Sequence, residues 1–398
     1  MLQPSQRFRN LGPYILAQVF ADRDAAVRGG ADVIDLGVGN PDRRPAPHIV
    51  QALKDALDDP AHQYHRYPGF GGLPEFKQAI ARWYERRFGV RLDPAREVLP
   101  LIGSKEGIVK FFLAHLDPGD TVLLTTPCYP AYHGACELTQ VKVHDVPLGP
   151  ATEFRPDWSA VPAAVADAAK LLTVNYPHNP TGQVETAELY QRTLDFALRH
   201  DICVISDIAY CDLSLEPSYR ARSFLEFDRD KRTTVEFHSF SKTFSMQGWR
   251  VAFCAGNAEL IANLAKIKSH MDFSIFLAIQ KAAAAALDGP QDYPHEISGL
   301  YRRRRDAFLS GIAPLGWRVA PPQAGMYVWL PIPAAYADCL SFTRDLLQRT
   351  GVLVAPGVAF GAGGEGFVRV ALCEEEDRIR EACARLERAG VHLEMARA

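Results

Sequence analysis

Ile202-Cys203-Val204-Ile205-Ser206-Asp207-Ile208-Ala209-Tyr210 contains an apolar run too short for a helix, and the run ends on a carboxylate. Its β-branched residues suit a strand buried on both faces, and such strands occur in parallel sheets covered by helices. Similar runs lie at 33–36, 98–102, 122–125, 171–176, 234–240 and 251–255, separated by longer segments of helical periodicity up to about residue 290. The alternation predicts an α/β fold whose large domain has a mostly parallel sheet flanked by helices. Ile49, Val50, Leu53, Ala56 and Leu57 recur at helical spacing behind Pro47, and 187–200 reads as a second amphipathic crossover.

After Pro290 the pattern changes to a helix at 298–312, a strand at 326–330, a helix at 340–349, a strand at 367–372 and a last helix at 375–389. This predicts a smaller α+β domain. The expected organisation is an N-terminal segment, 1–45, that joins the small domain; a large domain, 46–290; and a small C-terminal domain, 291–398. The run Arg302-Arg303-Arg304-Arg305 predicts a solvated helix face rather than a nucleic-acid contact, because no aromatics interleave it and no second basic cluster supports it.

With 398 residues, 47% of them hydrophobic and 23% charged, the chain can bury a large core, which excludes a disordered or fibrous protein. Forty-four Lys and Arg against 47 Asp and Glu leave a formal charge of -3, too balanced for nonspecific nucleic-acid binding. Eight cysteines without a CxxC pair support neither a zinc site nor a disulfide framework. No basic-then-apolar leader opens the chain and no run reaches the ~18 apolar residues of a membrane helix, so a cytoplasmic protein with no membrane partner is expected.

In open α/β sheets ligands bind beyond the carboxyl ends of the strands, so the residues placed there carry the functional reading. Gly103-Ser104-Lys105-Glu106-Gly107 follows one strand and opens a helix, a setting that suits a phosphate through free N–H groups and the helix dipole. Read singly, Ser104 would be an N-cap. Other strands deliver Tyr129; His178-Asn179-Pro180-Thr181-Gly182; Asp207 and Tyr210; and Ser239, Ser241 and Lys242, with Arg250 eight residues beyond the lysine. Ser239, Ser241 and Arg250 add charge-assisted donors for the same anion. Lys242 offers an amine for a covalent bond to a cofactor. Asp207, at the crevice floor, needs a cationic partner such as a protonated ring nitrogen, which would make that ring an electron sink. Asn179 and Tyr210 are placed to hydrogen-bond a ring oxygen, and Tyr129 to stack on the ring.

The segment Ser239-Phe240-Ser241-Lys242 with Arg250, the Asn179-Pro180-Thr181-Gly182 turn and Asp207-Ile208-Ala209-Tyr210 resemble, in order and spacing, the class I/II aminotransferases of fold type I. The likeness runs from about Tyr14 to Arg369. It implies pyridoxal 5′-phosphate as cofactor, with Lys242 as Schiff-base lysine and catalytic acid/base. It implies that Asp207 pairs with the pyridine nitrogen, that Asn179 and Tyr210 contact the ring oxygen, and that Tyr129 stacks on the ring. Ser104, Lys105, Ser239, Ser241 and Arg250 then bind phosphate, and Arg369 grips the substrate carboxylate with its fork. Homodimers are implied, with Tyr67 reaching the neighbour's phosphate. Gly39 matches a loop closing over the substrate, where the lack of a side chain permits close backbone approach.

The implied activity is transfer of an amino group from an α-amino acid to a 2-oxo acid in two ping-pong halves. Within the family the chain is most similar to the LL-diaminopimelate and alanine aminotransferase branch, which also has a substrate-contacting tyrosine at Tyr14. Phe70 and Phe273 stand where diaminopimelate enzymes of that branch place a glutamate and, in many cases, an asparagine, and they favour a smaller or less polar donor. LL-diaminopimelate is the alternative donor. A C–S lyase using the same Lys242, Asp207 and Arg369 is a rival within the fold, and a ligand-sensing module of a transcription regulator is a non-enzymatic rival for which there is no room before Tyr14.

Overall fold

The computed structural model describes residues 2–394. A short strand, β1 (Ile34–Asp35), precedes the seven strands of the main sheet: β2 (Val98–Leu101), β3 (Thr121–Thr126), β4 (Lys142–Pro147), β5 (Ala169–Asn175), β6 (Cys203–Asp207), β7 (Thr234–Ser239) and β8 (Ala252–Gly256). Their spatial order is β2-β8-β7-β6-β5-β3-β4, and only β8 runs antiparallel to its neighbours. The mostly parallel sheet read from the alternation is therefore present.

Strand side chains point alternately to the two faces. On β8, Phe253 and Ala255 join one core with Phe76, Ile80 and Trp83. Ala252 and Cys254 join the other with Ile108, Phe111 and Leu264. On β5 and β6, Leu171 and Ile205 belong to the second of these cores, whereas Leu172, Val174 and Val204 pack with Tyr190, Leu194 and Ala197 of the crossover helix Ala187–Arg199. Both faces are thus buried, which explains why these strands are apolar throughout.

Four further strands follow: β9 (Tyr327–Pro331), β10 (Val352–Leu353), β11 (Ala355–Pro356) and β12 (Phe367–Ala371). β11, β12 and β9 form an antiparallel sheet in that order, and β1 pairs in parallel with β10. The helices Asp292–Ile312, Cys339–Thr350 and Glu376–Arg388 bury one core against this second layer. Among the described residues no helix is long and apolar enough to cross a membrane.

Several local readings need correction. The run at 33–36 is not part of the main sheet; Ile34 and Asp35 pair with Val352 and Leu353. The edge strand β4 escapes the sequence reading because Lys142-Val143-His144-Asp145 lacks an apolar run; only one of its faces needs burial, and Val146 alone in the strand is buried. Ser104 is not an N-cap: Gly103 takes that position, with φ 87°, and Ser104 is the first helical residue. The arginine run is not a solvated face throughout. Arg304 is fully buried and forks onto Asp42 at 2.7 and 2.8 Å, and Arg305 is buried against Glu216 at 2.6 Å.

Candidate active site

The carboxyl ends of β5, β6 and β7 and the start of the helix Ser104–His115 open onto one cleft of about 220 Å³, closed on the far side by Tyr327 of β9 and Arg369 of β12. Gly39, Ser104, Lys105, Tyr129, Asn179, Asp207, Tyr210, Ser239, Ser241, Lys242, Arg250 and Arg369 all line it. Residues scattered over 330 positions of sequence thus meet, most of them because they follow a strand end or a helix start, whereas Arg369 projects from within β12. Tyr14 stands beside this group, with the Lys105 ammonium 5.1 Å from its ring centre. Tyr67 does not join the cleft of its own chain; it is 82% exposed and leans on Phe273, ring centres 4.8 Å apart.

Asp207, the last residue of β6, is buried. Its carboxylate accepts from the Ala209 N–H at 3.1 Å and from the Tyr132 hydroxyl at 3.2 Å, and among the described residues it has no salt bridge. Burial pushes its carboxyl up to about 6 despite those two hydrogen bonds. Asn175, at the end of β5, ties two of these turns together: its amide donates to the Asp207 carbonyl at 2.8 Å and its oxygen accepts from the Asn179 N–H at 3.1 Å.

Lys242 sits in the short helical turn Phe240–Thr243 directly after β7, and its ammonium donates to the Gly39 carbonyl at 2.7 Å. A Cβ on Gly39 would lie 2.1 Å from the Tyr327 hydroxyl, so glycine is required there, and the close neighbour is Tyr327. The same hydroxyl meets that of Tyr210 at 3.0 Å. Ser239 caps the turn by accepting from the Ser241 N–H at 3.2 Å. Arg250 reaches the N-terminus of the helix Ser104–His115: a Cβ on Gly103 would lie 2.1 Å from its Nη2. One anion-sized position therefore has a helix N-terminus, serines and a guanidinium around it.

Arg369 is 5% exposed. It donates to Asn179 Oδ1 at 2.9 Å and to the Gly37 carbonyl at 2.8 Å, and its plane lies 4.2 Å from the Tyr327 ring centre and 4.6 Å from that of Phe360. Its Nε has no partner. A guanidinium held in place by neutral groups, with no salt-bridge partner among the described residues, suits an incoming carboxylate.

Sequence reasoning missed Tyr132, Asn175 and Tyr327. Tyr132 had a signal, since it lies three residues after Tyr129 on one helix and so on a neighbouring face. Tyr327 had none, because its strand is remote in sequence and reads as ordinary core.

The architecture and the cleft together define a transaminase of the pyridoxal-phosphate-dependent kind, and the chain belongs to the class I and II aminotransferases, whose family model matches residues 31–386. It is 44% identical over 385 residues to an LL-diaminopimelate aminotransferase of Desulforudis audaxviator, with 96% of each chain covered. It is 40% identical to one of Gloeobacter violaceus, covering 99% of this chain and all of that one. Among solved structures, substrate-bound BacF from Bacillus subtilis superposes with a TM-score of 0.93 at 33% identity over the full length of both chains. A single mutant of Thermus thermophilus aspartate aminotransferase superposes at 0.91 with 30% identity, covering 98% of this chain and all of that one.

Proposed function

We propose that this cleft binds pyridoxal 5′-phosphate and transfers the amino group of an α-amino acid to a 2-oxo acid, with Lys242 as the catalytic amine. The carrying observation is electrostatic. Lys105, Lys242, Arg250 and Arg369 converge on one cleft, none has a salt-bridge partner among the described residues, and a single buried carboxylate, Asp207, faces them. That arrangement suits a phosphate ester, a carboxylate substrate and one cationic ring nitrogen, which are the charged parts of the cofactor and its substrate.

Bound there, the cofactor supplies an electron sink that makes the α-carbon of an amino acid acidic enough to lose a proton. Lys242 Nζ takes that proton and returns it, a role open to an amine that a carbonyl, not a carboxylate, holds in place. Arg369 holds the substrate α-carboxylate in its fork. Asp207 would balance the ring nitrogen, whose positive charge favours the ionised form that burial disfavours. Asn179 and Tyr210 are assigned to the ring oxygen, Tyr129 to the ring face, and Ser104, Lys105, Ser239, Ser241 and Arg250 to the phosphate. Tyr14 and Gly39 are assigned to the substrate.

The reading includes a cytoplasmic homodimer divided into domains at 46–290 and 291–398, with 1–45 joined to the second. Eight unpaired thiols suit a reducing compartment. Tyr67, Phe70 and Phe273 form an exposed aromatic cluster, 4.8 and 5.3 Å between ring centres, of the kind a second copy would cover; Tyr67 would then reach the neighbour's phosphate.

For the donor, Phe70 and Phe273 lie outside the cleft of their own chain and would bear on it only from a neighbouring copy, where two uncharged rings would favour an amino acid without a distal charge. LL-diaminopimelate is the second reading, favoured by the name that the relatives carry. The test is to add amino acids singly to the cofactor-loaded enzyme and follow its visible absorption, then regenerate it with 2-oxo acids. A response to LL-diaminopimelate alone replaces the first reading by the second, and silence toward every amino acid overturns both.

A further inference from the structure

Outside the cleft, His238 on β7 is fully buried with neither ring nitrogen hydrogen-bonded. Its ring packs against both Trp83, 4.7 Å away, and Phe253, 4.9 Å away. A buried polar group without a partner is destabilising, so this imidazole lacks a partner that would justify its place.

We propose that Cys211, Asp212 and His238 form a three-donor site for a zinc-class divalent cation behind the turn that carries Lys242. The Cys211 sulfur, an Asp212 carboxylate oxygen and a His238 nitrogen all lie within 4.8 Å of one another. Bonds of about 2.0–2.3 Å to such donors set them roughly 3.3–3.8 Å apart around a tetrahedral ion, so small side-chain rotations complete the site. A sulfur, nitrogen and oxygen donor set suits zinc over magnesium or calcium.

The surroundings leave one carboxylate oxygen available. Arg87 Nε holds Asp212 Oδ1 at 2.9 Å, Oδ2 accepts from the Thr243 hydroxyl at 3.4 Å, and the Cys211 thiol also hydrogen-bonds the Asp212 side chain. The guanidinium opposes an added cation, and the thiolate formed on binding offsets it. Binding forms metal–sulfur, metal–oxygen and metal–nitrogen bonds and releases the Cys211 thiol proton to water; nothing is oxidised or reduced. Thr243 follows Lys242, so an occupied site would tie the lysine's turn to the turn after β6. The sequence reading expected no metal because the eight cysteines contain no CxxC pair; Cys211 and His238 stand 27 positions apart in the chain.

The test uses the cofactor-loaded enzyme, dialysed against zinc and then against a weak chelator, with cadmium NMR on a cadmium-exchanged sample to detect thiolate ligation. The expected result is one retained equivalent per chain, a sulfur-ligated cadmium signal and a higher Tm with zinc. C211S, a near-isosteric change, should abolish the signal and the Tm gain and weaken binding at least ~10-fold, as should H238Q, while H62Q at the surface changes nothing. No retained equivalent, or wild-type affinity in C211S, overturns the proposal. Neither outcome bears on the aminotransferase reading, because the readouts are metal content and metal spectroscopy.

Discussion

Arg369 Nη1 donates to Asn179 Oδ1 at 2.9 Å, joining strand β12 of the smaller layer to the turn that follows β5 of the main sheet. The bond aligns the guanidinium at the cleft wall and spends one carboxamide lone pair. Arg369→Lys keeps the charge and loses the fork. Truncating a buried, hydrogen-bonded charge pair costs about 2–5 kcal/mol, so kcat/KM should fall ~30- to 5000-fold for amino and oxo acids alike. Steady-state kinetics on both half-reactions checks this; loss confined to one substrate would contradict a shared carboxylate grip.

Lys242→Ala should remove the visible absorption of the bound cofactor and lower transamination roughly a thousandfold or more. Since Lys242 is only partly buried and its one hydrogen bond goes to the Gly39 carbonyl, circular dichroism and Tm should change little. Partial return of activity with added small amines would identify the missing group as a base.

Gly103→Ala tests the anion position without replacing a charged residue. A Cβ there would meet Arg250 Nη2 at 2.1 Å, and φ 87° disfavours any side chain. Losing one charge-assisted bond of ~1.5–3 kcal/mol should weaken cofactor binding roughly 10- to 150-fold. Equilibrium dialysis against pyridoxal phosphate reads it directly.

The pH dependence of the cofactor-free protein has a definite sign. Asp207 titrates at 3.8 in the unfolded reference and is raised to about 6 by burial. Between those values the native state keeps a proton that the unfolded chain has lost, so stability falls as pH rises from about 4 to 6 and levels off above. The total is on the order of 3 kcal/mol. Glu236, raised to about 7 mainly by burial, adds a slope of the same sign. Urea unfolding of wild type and Asp207→Asn, compared across pH 4–7, isolates the aspartate's share. Equal slopes would show that Asp207 is ionised throughout.

Phe273→Asp should convert a dimer into monomers, read by sedimentation velocity, because it puts a charge into the aromatic cluster with Tyr67 and Phe70. A wild-type protein that sediments as a monomer would remove the assignment of Tyr67 to a neighbouring site.

The alternation of short apolar runs with amphipathic helices determined the main sheet, because a strand buried on both faces must be apolar wherever it lies in the sheet. The identities at the strand ends determined most of the cleft as well: Lys242, Asp207, Asn179 and Arg250 each sit within a few residues of a run that can be read locally. Tertiary structure alone decided what those residues touch. Tyr327 against Gly39, Tyr132 on Asp207, the burial of Arg304 within a charged run, and the meeting of Cys211, Asp212 and His238 all join segments far apart in the chain. Periodicity reports which face of an element is buried, whereas partner choice depends on how the elements cross, and that is set by packing across the whole core.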